Sequence, residues 1–131
     1  MSFQLLEMAG GNCKLINIIY FAQYTKCSKL YFGKTINSLG GRISGYRSHI
    51  KDIENVIEFD DRNSLAAHAY FCHNVNSTAD FNNLYHFSIV KHVDPKNLLM
   101  NEQFYINKYK SYAPFGLNIQ NPIGISAMLV T

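Results

Sequence analysis

Residues 30–50 read LYFGKTINSLGGRISGYRSHI. The run KLYFGK (29–34) is apolar and aromatic, reaches Gly33-Lys34-Thr35, and reads as a short strand. Asn37 or Ser38 is placed to cap a helix. Leu39, Ile43, Ile50, Ile53 and Ile57 recur at helical spacing and predict a buried stripe. The first turn of that helix carries Gly40-Gly41, and a glycine costs about 1 kcal/mol relative to Ala in a helix interior. Arg42, Tyr46 and His49 follow at steps of four and three, so they share one face at the border of the stripe. Poor helix formers beside a guanidinium, a phenol and an imidazole leave room for a ligand backbone to approach. The plain alternative is a helix that begins at Arg42, with Arg42 snorkelling beside an aromatic neighbour.

Upstream, LINIIYFAQY (15–24) is rich in β-branched and aromatic residues and predicts a strand. Its closeness to the strand at 29–34 predicts an antiparallel hairpin. Residues 1–12 read as a lead-in closed by Gly10-Gly11-Asn12. Downstream, EFDDRNS (58–64) reads as a polar loop and SLAAHAYFCH (64–73) as a short helix capped by Ser64. NVNSTAD reads as a second loop, and FNNLYHFSIVKH (81–92) contains a third strand. Asp94-Pro95 predicts a helix start, with the helix running to about Lys110. The tail SYAPFGLNIQNPIG reads as ordered loop. The order β-β-α-α-β-α predicts an α+β fold: a three-stranded antiparallel β-sheet flanked by helices.

At 131 residues the chain is expected to form one domain. Hydrophobic content of 47% with charged content of 16% excludes a disordered tail. A formal charge of +3 permits a nucleic-acid partner without demanding one. Cys13, Cys27 and Cys72 make an odd count without a disulfide framework, which predicts reduced thiols in an intracellular compartment, cytoplasmic or nuclear. No apolar run approaches ~18 residues, so no membrane partner is expected. MSFQLLEMAGGN lacks the features of a secretory signal, so the chain is not expected to be secreted.

Glu102 is the first residue with chemistry attached. On a helix its neighbours are Leu98, Leu99, Tyr105, Ile106 and Tyr109, which centres a carboxylate on an apolar face. Such a group must be paired, protonated or bound to a metal. A salt bridge to a core-edge Arg, or a kink that leaves it wet, explains it equally well. Arg42 is ready to meet a carboxylate or phosphate in a bidentate way. Tyr20 and Tyr31 lie on the two predicted strands, where tyrosines more often fill space.

In order and spacing, these residues resemble the GIY-YIG nuclease family. Ile18-Ile19-Tyr20 stands at the Gly-Ile-Tyr motif and Tyr31-Phe32-Gly33 at the Tyr-Ile-Gly motif. Arg42 falls at the family's arginine and Tyr46 at a position that carries Tyr or His. Glu102 falls at the metal-binding glutamate, and Asn118, in Gly116-Leu117-Asn118, at the late asparagine. The resemblance spans roughly residues 15 to 120. Ile18 departs from the motif's first glycine, a change expected to cost little where only strand backbone is needed.

The resemblance implies a metal-dependent DNA endonuclease, standalone or a domain of a mobile element or virus, that hydrolyses phosphodiester bonds with one divalent ion, Mg²⁺ or Mn²⁺. Glu102 would hold the ion and Tyr20 would act as general base, with Lys34 and the ion lowering its pKa. Tyr31 would orient water or phosphate, Arg42 would stabilise the charge developing on phosphorus, Tyr46 would bond a phosphate oxygen and Asn118 would brace the site. Lys34, Arg47 and His49 would track the DNA backbone. A larger parent polypeptide or a partner would supply sequence specificity. The alternative is a catalytically silent nucleic-acid-binding module of the same fold, and a third reading is a protein-interaction domain.

A second resemblance is to the nuclease domains of Penelope-like retroelements, carried by Asn37-Ser38-Leu39…Arg42, His68…His73…Asp80-Phe81 and Gly116-Leu117-Asn118. Those domains often carry two Cys between the motifs and two His downstream, a set that looks like a zinc site. Cys27, His68 and His73 match three of the four. Tyr24 occupies the remaining Cys position, and Cys72 is near but out of register. The bland alternative leaves His68 in the core or capping a carbonyl and His73 on the surface.

Overall fold

The computed structural model describes residues 15–129. The predicted lead-in at 1–12 and Cys13 lie outside the described residues. In chain order the elements are β1 (Ile18–Tyr24), β2 (Leu30–Thr35), α1 (Leu39–His49), β3 (Glu58–Phe59), α2 (Ser64–Ala67), β4 (Tyr85–His92), α3 (Leu98–Tyr109), β5 (Ile123–Gly124) and α4 (Ile125–Leu129).

β1 and β2 form the expected antiparallel hairpin, with Tyr20 opposite Gly33. β4 pairs antiparallel with the other edge of β1, which gives the sheet order β2-β1-β4. The α+β class and the three-stranded antiparallel sheet with helices therefore stand as expected.

Alternation along the strands divides the core in two. Ile18, Tyr20, Ala22, Tyr31 and Ile89 enter one apolar cluster with Leu39 and Tyr46 of α1 and Leu65 of α2. Ile19, Phe21, Leu30, Phe32 and Val90 enter a second cluster with Leu98, Tyr105 and Ile106 of α3. The register between β1 and β4 shifts between Ile19 and Tyr20, so Val90 is an extra residue on β4. Such a bulge increases local twist and re-aims neighbouring side chains, and here it lies beside Tyr20. Ile18 is fully buried in the first cluster, so it fills core volume that a glycine would leave empty.

Several expectations give way to tertiary packing. α1 begins at Leu39, not at Arg42, and Ser38 is its cap, its Oγ accepting from Gly41 N at 3.2 Å. The predicted stripe holds at Leu39, Ile50 and Ile53, all buried, but Ile57 is 82% exposed. The reason is phase: α1 stops at His49 and Ile53–Asn55 is a separate 3₁₀ turn, so the 3.6-residue period ends before Ile57. EFDDRNS is not wholly loop, since Glu58 and Phe59 pair with Gly124 and Ile123 and Phe59 is fully buried. Asn63, not Ser64, occupies the cap position of α2, while the Ser64 hydroxyl donates to the Leu117 carbonyl. Beyond Ala67 the helix widens into a π turn over His68–Cys72. Asp94 makes no side-chain capping bond, and a 3₁₀ turn at Pro95–Asn97 precedes α3. On α3, Leu99 is 59% exposed and falls outside the buried face, while Leu98, Tyr105 and Ile106 are buried around Glu102, which keeps its central place on that face. The predicted terminal loop also contains β5 and leads into α4.

Candidate active site

Tyr20 and Gly33 are directly opposed across β1 and β2. A Cβ on Gly33 would sit 2.3 Å from the Tyr20 ring and its hydroxyl, so only glycine lets the ring lie over β2. This close approach is a physical reason for a glycine two residues after Tyr31. It directs the Tyr20 hydroxyl toward α1.

There four side chains meet. The Tyr46 hydroxyl shares a short hydrogen bond with the Tyr20 hydroxyl and donates to Tyr31 Oη at 3.3 Å. The Arg42 guanidinium reaches both phenols from the open side, Nε to Tyr20 Oη and Nη2 to Tyr46 Oη, each at 3.5 Å. Its Cζ also lies 5.3 Å from the centroid of the Tyr46 ring. Residues 20, 31, 42 and 46, dispersed over two strands and a helix, thus form one polar network inside an apolar core.

Burial dominates the electrostatics of the phenols. The pKa of Tyr20 stands well above the usual phenol value, first because it is desolvated and then because Tyr46 is adjacent, while Arg42 pulls the other way. Tyr31 is raised for the same first reason, with Tyr46, Tyr20 and Asp61 adding to it. The cation that contacts Tyr20 is Arg42. Lys34, expected to serve Tyr20, instead points to the opposite side of β2 and pairs with Glu102 Oε1 at 3.3 Å.

Glu102 is buried on α3, and the partner that relieves it is a lysine rather than the arginine considered from sequence. Desolvation raises its pKa, Lys34 and Arg42 lower it, and Asp61 raises it further. The carboxylate therefore shares the electrostatic field of Lys34, Arg42 and Asp61 at the β2 edge. A single hard carboxylate suits Mg²⁺ or Mn²⁺, ions that keep waters and accept phosphate oxygens as further ligands.

Asn118 is fully buried. It accepts from Phe32 N at 2.9 Å and from Ser111 Oγ at 2.6 Å, and donates to Phe32 O at 2.9 Å. It braces β2 and the segment that follows α3. Its amide also donates to Asp61 Oδ1 at 3.2 Å, and the same oxygen accepts from Ile119 N at 2.7 Å. The Tyr31 hydroxyl reaches Asp61 as well, at 3.2 Å to the carbonyl and 3.4 Å to Oδ2. Asp61 is a residue that sequence reasoning missed. It sits in a polar stretch with no periodicity, and the only local signal is the neighbouring Phe59 at a predicted loop.

The three expected backbone-tracking residues separate. His49 lines an open cavity of about 140 Å³ together with Gly41, Arg42, Gly45, Tyr46 and Arg62. Arg47 lies on another side of α1, in a cavity with Ser44, Ser48, Lys51 and Thr78. Lys34 is at the Glu102 side of the sheet.

A second cluster lies at the other end of β1. One ligand atom each from Cys27, His68 and His73 falls within 4.8 Å of the others. Cys27 Sγ is 3.2 Å from His68 Nε2, which is 3.1 Å from His73 Nε2. His68 is buried rather than exposed, and desolvation first, then His73 and Lys29, lower its pKa to about 4. A neutral imidazole is the form that ligates metal. Tyr24 stacks on His73 with ring centroids 4.1 Å apart, so it packs the cluster from one side. Cys72 borders the same cavity. The soft sulfur and nitrogen donors fit Zn²⁺ and not Mg²⁺ or Mn²⁺.

No family model, curated protein or solved structure matches this chain. Among the described residues no helix is long and apolar enough to cross a membrane.

Proposed function

We propose that the chain is a metal-dependent endonuclease of the GIY-YIG kind that hydrolyses phosphodiester bonds in DNA. One observation carries the reading: Tyr20, Tyr31, Arg42 and Tyr46 converge into a single hydrogen-bonded network beside the strand braced by Asn118. A core has no structural need for three phenols and a guanidinium in contact, because each polar atom must be satisfied on burial.

In this reading Arg42 meets the phosphate, since its guanidinium lies between the phenols and the open cavity. Tyr46 orients Arg42 and offers its hydroxyl to a phosphate oxygen. Tyr20 takes the proton of the attacking water, a role that its raised pKa allows only when positive charge gathers beside it. Glu102 would hold Mg²⁺ or Mn²⁺ in place of its present partner Lys34, whose ammonium would then face a phosphate. When bound, the ion supplies Lewis-acid polarisation of the phosphate and its leaving oxygen. Asn118 keeps β2, and therefore Tyr31, in place. A parent polypeptide or partner supplies sequence specificity, and the host element is a mobile element or virus. Cys27, His68 and His73 would hold Zn²⁺ through three soft donors at the far end of β1, with the fourth position left to a ligand from outside this set.

A second reading, a nucleic-acid-binding module without the reaction, draws on the depth of the phenols: Tyr20 is 0% exposed. Incubation with supercoiled plasmid, with and without Mg²⁺ or Mn²⁺, separates the two. Metal-dependent nicking that folded Glu102→Ala and Arg42→Ala both lose supports the nuclease. DNA binding without cutting under any divalent ion supports the module.

A further inference from the structure

The cavity beside Arg42 holds a second guanidinium and an imidazole beyond what cleavage of one phosphate requires. Its lining includes Arg42, His49 and Arg62 and no carboxylate. His49 Nδ1 is buried and has no hydrogen-bond partner. Desolvation first, and then Arg62 and Arg42, hold the imidazole below its usual pKa against a hydrogen bond to the Arg62 backbone, so the ring is a neutral partner rather than a cation. Arg62 keeps a guanidinium 76% exposed, paired with Asp60 Oδ2 at 3.5 Å. The Asp60 carboxylate is itself occupied, since Oδ1 accepts from the backbone N–H groups of Arg62 and Asn63. The floor is made of Gly41 and Gly45, and a Cβ on Gly45 would meet nothing within 4 Å. Two arginines and an imidazole with a spare nitrogen around an open floor match a tetrahedral oxyanion.

We propose that Arg62 and His49 form, with Arg42, a second phosphate-binding subsite, which holds the backbone phosphate next to the one that is cut. The proposal rests on the nuclease reading for the identity of the strand, and on the cavity alone for the anion. The glycines on this face of α1 then have a use: they let the sugar-phosphate chain lie against the helix between the two phosphates. Arg62 meets Asp60 only through a long, solvent-exposed contact, and an exposed pair of this kind is worth little, so the guanidinium can turn to a singly charged phosphodiester at small cost.

The test is binding without cleavage. Labelled duplex DNA is titrated by fluorescence anisotropy in EDTA at several salt concentrations, with native protein, Arg62→Gln and His49→Gln. In parallel the His49 imidazole is followed by NMR during addition of inorganic phosphate and of DNA. Arg62 is exposed, so Arg62→Gln is expected to fold normally. The expected result is about tenfold weaker DNA binding by Arg62→Gln, the loss of one charge-assisted bond. The salt dependence of log K should fall by about 0.9. DNA and inorganic phosphate should both move the native His49 resonance, and much less in Arg62→Gln. Unchanged affinity and slope in Arg62→Gln overturn the proposal, as does DNA binding that leaves His49 unmoved. A response to inorganic phosphate alone overturns the nucleic-acid assignment and indicates a free-phosphate site. Binding through the subsite by a protein that never nicks plasmid overturns only the nuclease. Nicking with an unchanged salt slope overturns only the subsite.

Discussion

The side-chain amide of Asn118 pairs with both backbone groups of Phe32, donating to its carbonyl and accepting from its N–H, each at 2.9 Å. It stands where a fourth strand would continue the sheet beyond β2. Beside it, Leu117 N donates to Leu30 O at 2.8 Å. An edge that carries the candidate site is thereby closed against stray pairing.

Asn118→Ala removes the amide's hydrogen bonds to the Phe32 N–H, the Phe32 carbonyl and the Ser111 hydroxyl. Each unsatisfied buried group costs about 1–3 kcal/mol before relaxation. A loss near 3 kcal/mol is expected in urea unfolding. A loss under about 1 kcal/mol would mean that water replaces the amide and that the brace is dispensable.

Glu102→Gln links stability to pH. Burial raises the folded pKa of Glu102 above its unfolded value, so the folded chain binds more protons than the unfolded one in that window. Its contribution to stability is therefore greatest below the unfolded carboxylate value and is lost as pH rises through the folded pKa. Glu102→Gln should have a higher Tm than native protein at neutral pH, with the difference closing toward pH ~4. Metal-dependent nicking should disappear in the same variant. A native protein that gains on the Gln variant with rising pH would show that Lys34 outweighs burial.

Gly33→Ala forces the Tyr20 ring to move, since the added Cβ would lie 2.3 Å from it. Overpacking of this kind costs about 1–3 kcal/mol. Nicking should fall by more than the loss of folded protein explains, because the Tyr20 hydroxyl leaves Tyr46 and Arg42. Thermal unfolding beside single-turnover nicking measures both.

Gly45→Ala has the opposite sign on stability. Its methyl meets nothing within 4 Å in a helix interior, so a gain of about 0.5–1 kcal/mol is expected. DNA affinity should drop, because the methyl rises from the cavity floor beside Arg42 and His49. A variant that is both more stable and equally tight for DNA would place the strand elsewhere.

Zn²⁺ should raise the Tm of the native chain and not that of Cys27→Ser with His73→Ala. Substitution by Co²⁺ should give visible absorption that requires Cys27, which reads the sulfur ligand directly. Equal Tm with and without Zn²⁺ would return the three side chains to simple packing around Tyr24.

Local pattern alone determined a good deal of this molecule. The aromatic and β-branched runs around Tyr20 and Tyr31 give the hairpin, because two such runs joined by a short connection pair most readily with each other. Asn37 or Ser38 marks the start of α1 from sequence, since both can cap it locally, and the structure selects Ser38. The four-residue step from Arg42 to Tyr46 places both on one helix face whatever surrounds them.

Tertiary structure alone decided the rest. Glu102 takes Lys34 as partner because β2 and α3 pack face to face, a pairing 68 residues apart that no window of sequence contains. Asp61 and Arg62 join the site because a short strand at Glu58–Phe59 anchors their loop to Ile123–Gly124. Ile57 keeps its helical spacing yet faces solvent, because the backbone had already left the helix. Spacing reports where a side chain stands on its own element, whereas charge pairing, loop placement and burial depend on what the rest of the chain brings against it.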